Sequence, residues 1–167
     1  MSATSTLSPF VAPVVISLVL TAAAIDLHRR RIPNWLTFSA WMLALPVQMA
    51  IHGAGGGVAG WALGWLTGLS IFLPFYLLRG MAAGDVKLMA ATGAWLGATL
   101  AFQIAMVTFL LGGVWAIVLV LKSRQQRQLV RNIGVILRTG ERGPSVGSIP
   151  YGAAIAAGTL VMLFAST

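Results

Sequence analysis

Long continuous apolar runs, separated by short polar or glycine-rich links, dominate this chain. The run TLSPFVAPVVISLVLTAAAI (6–25) is typical. It lacks the alternation of a membrane β-strand and approaches the roughly 20 residues that carry a helix across about 30 Å of hydrocarbon. The pattern predicts an all-α polytopic membrane protein of about six transmembrane helices, over 9–26, 34–51, 58–78, 86–96, 99–121 and 149–164. The fourth is short, and either extends across the break at 97–99 or stops before it spans. Residues 1–167 read as one integral membrane domain with no separate soluble domain. Ala22, Ala23 and Ala24 resemble a signal-cleavage site, but residues 1–8 hold no Lys or Arg and the apolar run is longer than a signal core.

Composition sharpens this picture. With 58% hydrophobic and 8% charged residues and a mean hydropathy of +0.89, a chain of this size cannot hide its apolar surface in one water-soluble core. No cysteine is present, which excludes disulfides, thiolate metal sites and a cysteine nucleophile. The net charge of +8 would suggest nucleic acid in a soluble protein, but in a polytopic chain the location of the basic residues carries the information, and no nucleic-acid partner is expected.

That location is one-sided. Arg29, Arg30 and Arg31 fall between the first two predicted helices, Arg79 and Lys87 bracket the third link, and Lys122, Arg124, Arg127, Arg131, Arg138 and Arg142 lie between the fifth and sixth. The opposite loops, HGAGGG (52–57) and GAT (97–99), have none. The positive-inside rule then places both termini on the extracytoplasmic side and the basic links in the cytoplasm. The stretch 122–143 is basic and partly amphipathic, suited to an anionic leaflet as an anchor or surface helix. Gly60, Gly64 and Gly68, with Gly93 and Gly97, have the spacing that lets helices approach closely in lipid.

The chain holds three carboxylate side chains, Asp26, Asp85 and Glu141. Asp26 ends the first predicted helix and Asp85 starts the fourth. The second and third helices form an out-and-back pair, so parity brings both aspartates to one face. Each has a plainer role open to it: Asp85 as a helix cap, Asp26 as a partner of Arg29 or Arg30. Asp26 suits that role less well, because an acid in a last turn opposes the helix dipole. An ionisable group at the hydrocarbon edge costs a few kcal/mol unless partnered, so two such acids at one depth point to function.

Two close carboxylates can share a proton, one taking a proton from water while the other polarises a carbonyl. That is the chemistry of an aspartic protease, and it calls for no metal or cofactor. A zinc protease would need HExxH, whereas His28 and His52 are the only histidines and fall on opposite sides; Ser70 has neither a GxSxG setting nor a histidine at its depth. Gly84 offers little bulk beside Asp85, as a helix start or as room for an extended peptide. Lys87 stands either to tune the pair or to anchor its helix.

Three segments resemble the type IV prepilin peptidases, membrane aspartic proteases of the GxGD type: IDLHRRRIPNWLTF (25–38), MAAGDVKLMAATGAWLG (81–97) and IPYGAAIAAG (149–158). The resemblance implies removal of a short basic leader from prepilins, typically after a glycine, at the cytoplasmic face of the bacterial inner membrane. It implies Asp26 and Asp85 as the catalytic pair, with Gly84 and Lys87 as candidate substrate-positioning residues. The small size is similar to peptidase-only members that serve tight-adherence (Flp-type) pili, so N-methyltransferase activity is not expected. The first motif glycine is Ala82 here, an added methyl that removes no catalytic group. The expected partners are a prepilin, recognised through its apolar helix, and a bilayer containing anionic lipid. A small proton-linked transporter and a non-catalytic pilus or secretion scaffold are the competing classes.

Overall fold

A computed structural model of the chain describes residues 9–78, 80–122 and 151–165. The described residues form helices and no strand: α1 (Val11–Arg29), α2 (Asn34–Leu77), α3 (Ala83–Lys122) and α4 (Tyr151–Ala165). The first two helices and the Ala83–Trp115 part of α3 are long and apolar enough to cross a membrane. Large side chains such as Leu20, Leu43, Leu63, Phe102 and Leu110 project outward. In water that surface would be an aggregation hazard; in lipid it is the expected exterior. The chain is a membrane protein built of helices. The basic stretch from residue 123 onward, Arg79, Glu141 and the two chain ends lie outside the described residues.

α1 buries one face. Val11, Val15, Leu18, Val19, Ala22, Ala23 and Asp26 point inward at spacings of three and four, so the carboxylate is the last member of an otherwise apolar stripe. The helix stops where Arg30 turns left-handed (φ 51°, ψ 32°) and its N–H closes on the Asp26 carbonyl at 2.7 Å. Pro33 then holds extended backbone (φ −70°, ψ 139°) ahead of α2, its ring fixing φ.

α2 and α3 each fold back on a single glycine. Gly53 (φ 76°, ψ 169°) and Gly97 (φ 79°, ψ 173°) take a backbone conformation essentially reserved for glycine. Across the first turn the Trp61 indole N–H donates to the Trp41 carbonyl at 3.0 Å, the two rings stack with centroids 5.0 Å apart, and Gly57 lies against the Gln48 backbone. Across the second, a Cβ on Gly93 would meet the Ala101 Cβ at 3.1 Å. The expected breaks near 52–57 and 97–99 are therefore turns, with one correction. Residues 54–57, read as loop, are helical, because Gly53 alone reverses the chain and Gly57 must pack in register on the returning arm. The fourth predicted helix likewise begins at Ala83 rather than Val86 and joins the next across Gly97.

The first arm of α3 is the centre of the bundle, with every residue from 88 to 96 buried. The turn at Gly97 removes the helical partners of the preceding carbonyls. Buried Gln48 replaces them, its side-chain amide donating to the carbonyls of Ala94 (3.3 Å) and Trp95 (2.7 Å). The second arm of α2 meets the same arm backbone to backbone. A Cβ on Gly64 would collide with the Gly93 carbonyl, and one on Gly68 would lie 2.5 Å from the Met89 carbonyl oxygen, whereas Gly60 has nothing within 4 Å. Only part of the glycine spacing is used in packing. Gly64→Ala should therefore lower stability by roughly 1–3 kcal/mol, while Gly60→Ala should not, as read by thermal unfolding of the detergent-solubilised protein.

Candidate active site at one end of the bundle

Helix directions bring four segments to one end. The first arms of α2 and α3 run parallel: the Lys87 Nζ donates to the Asn34 Oδ1 at 2.9 Å near their starts, and Gln48 reaches Ala94 and Trp95 near their ends. Gly84 sits against Ile32, and the start of α4 sits against the last turn of α1. The end of α1, the link 30–33, the start of α3 and the start of α4 therefore share one locality. Asp26 and Asp85 both lie in it.

Both aspartates are buried, with 7% and 3% of their surfaces exposed, and each carboxylate lies within electrostatic reach of the other. Asp85 occupies the first turn of α3, and its Oδ2 accepts the Ala82 N–H at 3.2 Å. This is the return half of a capping box; Ala82 has no hydroxyl for the other half. Asp26 stands at the negative pole of its own helix, where a carboxylate is disfavoured. Its Oδ2 accepts the Gly152 N–H at 3.2 Å, an amide at the positive pole of α4. Among the described residues neither carboxylate forms an ion pair. Arg30 contributes its field to Asp26 but reaches it only through its main-chain N–H.

Gly84 and Lys87 have neighbours of their own. A Cβ on Gly84 would meet the Ile32 Cβ at 3.1 Å and the Ile32 nitrogen at 3.4 Å, so this glycine lets the α1–α2 link close on the start of α3. Lys87 is exposed and holds Asn34, and the structure does not pair it with either aspartate. A groove of about 870 Å³ runs beside the site, walled by Ile25, His28, Arg29, Arg31, Ile32 and Trp35 among others. Its lining combines apolar and basic side chains. A second, of about 480 Å³, lies between the arms of α2 and the start of α3, against Phe38, Trp41, Trp65 and Leu69.

Sequence reasoning missed Gly152. Its only signal was the run of small residues after Pro150 in IPYGAAIAAG, which marks a helix entry but not what the entry touches.

The type IV leader peptidase family matches residues 13–117, a segment that holds both aspartates. The chain belongs to this family. It is 34% identical over 112 residues to a prepilin leader peptidase/N-methyltransferase of Xanthomonas campestris pv. campestris, covering 60% of the chain and 37% of that protein. It is 36% identical over 96 residues to a protein of the same description from Klebsiella pneumoniae, covering 50% of the chain and 39% of the relative. The chain thus spans well under half the length of these curated relatives. No solved structure matches it. Gly152 lies beyond the residues that the family matches.

The geometry makes a stability prediction. Among the described residues each buried carboxylate has one N–H partner, so its desolvation is poorly compensated; an asparagine keeps an oxygen for the same N–H and removes the charge. Asp26→Asn and Asp85→Asn should each unfold no lower than the unaltered protein, with a gain on the order of 1 kcal/mol, measured by thermal unfolding in detergent.

Proposed function

We propose that the chain is a membrane-embedded aspartic endopeptidase that removes the basic leader from type IV, Flp-like prepilins, with Asp26 and Asp85 as its catalytic pair. The observation that supports this best is the burial of both acids at one end of the bundle, within each other's field. Family membership supports prepilin processing in general. In this reading one carboxylate, ionised, takes a proton from water as the oxygen attacks the scissile carbonyl carbon. The other, protonated, donates to the carbonyl oxygen. As the tetrahedral intermediate collapses, the first carboxyl passes the proton taken from water to the leaving nitrogen and the second recovers its own from the gem-diol. The groove beside the site carries Ile25, Ile32 and Trp35 in its lining, apolar surface that suits the prepilin's apolar helix rather than its basic leader.

In the same proposal α2 and α3 each cross the inner membrane twice, turning at Gly53 and Gly97, and α1 and α4 cross once. The end with Asp26, Asp85 and the arginines then faces the cytoplasm, and both termini lie outside. The absence of native cysteine makes the topology directly testable. In whole cells Ala54→Cys should react with a membrane-impermeant maleimide, and Arg31→Cys only after the cells are opened.

The scaffold reading draws on the capping bond from Ala82 to Asp85, which would give that acid a purely structural role. Co-expression with a prepilin-like substrate, a basic leader and a glycine followed by one apolar helix, separates the two. On a mobility gel, Asp26→Asn and Asp85→Asn should each reduce leader removal at least about 100-fold with unchanged amounts of membrane protein. A scaffold would tolerate both changes, and retained processing in either variant refutes the catalytic pair.

A further inference from the structure

The chemistry proposed above leaves one buried contact unused. Gly152 is the second residue of α4, and its N–H is one of the amides that a helix cannot satisfy internally. It donates to the Asp26 Oδ2 at 3.2 Å. The backbone approaches so closely that a Cβ at this position would stand 2.8 Å from that oxygen, 3.1 Å from the Asp26 Cβ and 3.2 Å from its Cγ. Glycine is needed here for space; only Gly53 and Gly97 among the described glycines have positive φ.

The donor is itself well anchored. Farther along α4, a Cβ on Gly158 would press on the Thr108 hydroxyl at 2.5 Å and the Ile104 carbonyl at 3.3 Å. From the other side, a Cβ on Gly112 would touch the Tyr151 ring at 3.0 Å. The second arm of α3 thereby sets how far α4 projects toward Asp26. The carboxylate has otherwise little to orient it. It hangs from the last turn of α1 with no ion pair among the described residues, and the dipole of its own helix opposes its charge.

We infer that Gly152 is a positioning residue: the start of α4 fixes the rotation of the Asp26 carboxylate by binding Oδ2, which directs Oδ1 to the reacting water. This inference rests on the reading of Asp26 as a catalytic acid. Gly152 acts through Asp26 and does not touch the peptide, so it governs turnover rather than substrate affinity. Misplacing a reacting group by a fraction of its own size costs rate while leaving binding intact.

The test uses the full-length protein in detergent with the prepilin-like substrate. Gly152→Ala should lower kcat roughly 10–100-fold and leave KM within about twofold, while Gly60→Ala, a methyl added in open space, should change neither. An unchanged kcat in Gly152→Ala, or a rise in KM alone, overturns the positioning role. The contact can also be read in the unaltered protein, which guards against a variant that does not fold. Asp26 and Asp85 are the only aspartates, so labelling aspartate at ¹³Cγ and glycine at ¹⁵N yields two carboxyl signals, assigned with Asp26→Asn. The Asp26 signal should show a short-range dipolar coupling to a glycine amide, and its absence overturns the inference. If Asp26→Asn processes normally, the peptidase reading falls and the positioning role with it. If Asp26→Asn is inactive while Gly152→Ala keeps its kcat, the positioning role alone falls.

Discussion

Two carboxylates sit inside one end of a bundle that is otherwise almost wholly apolar, and the arrangement of that end follows from the cost of keeping them there. A charged group at the margin of hydrocarbon is unfavourable by several kcal/mol unless it finds partners. Among the described residues each acid is given a single main-chain N–H from a helix start, Asp85 from its own helix and Asp26 from α4. Helix starts suit this task because their amides lack internal partners and carry the positive pole. One N–H per acid holds a carboxylate in place without saturating its acceptor capacity.

The same constraint explains why the arms of α2 and α3 must sit so closely. The depth of Asp85 depends on how α3 is seated along the bundle, and that seat is a backbone contact. Gly64 meets Gly93, and Gly68 meets Met89 and Ala90, with no side chain between them. In lipid such contacts replace the hydrophobic drive that would hold helices together in water. At the far end, Gly53 and Gly97 reverse the chain within one residue each, and Gln48 satisfies the carbonyls that the second turn strands. The two ends are thus made differently: tight glycine turns with no Lys or Arg at one, and buried acids beside exposed arginines at the other.

Much of this was legible without coordinates. Continuous apolar runs identified helices, because lipid-facing and buried positions are both apolar and leave no period-2 signal. The breaks near Gly53 and Gly97 could be seen as glycine-rich interruptions, but not that one residue would suffice, which led 54–57 to be read as loop. Glycine spacing pointed to close packing and held for Gly64 and Gly68, yet Gly60 has the same spacing and faces open space. Spacing reports which residues share a helix face and is silent on whether a neighbour lies opposite. Gly84 shows the same limit: its small size reads equally well as room for a substrate and as room for Ile32, which is what lies against it.

The amino-acid order by itself determined that this is a helical membrane protein and that its two aspartates come to the same end, since hydrophobic run length and the parity of crossings are properties of the chain counted along its own length. Only the tertiary structure decided what holds those acids. The bond from Gly152 to Asp26 joins residues 126 positions apart, and it exists because α4 is wedged against the far arm of α3 at one particular height. A hydrogen bond is sensitive to tenths of an ångström, and no local pattern of residues encodes a distance of that kind between separate helices.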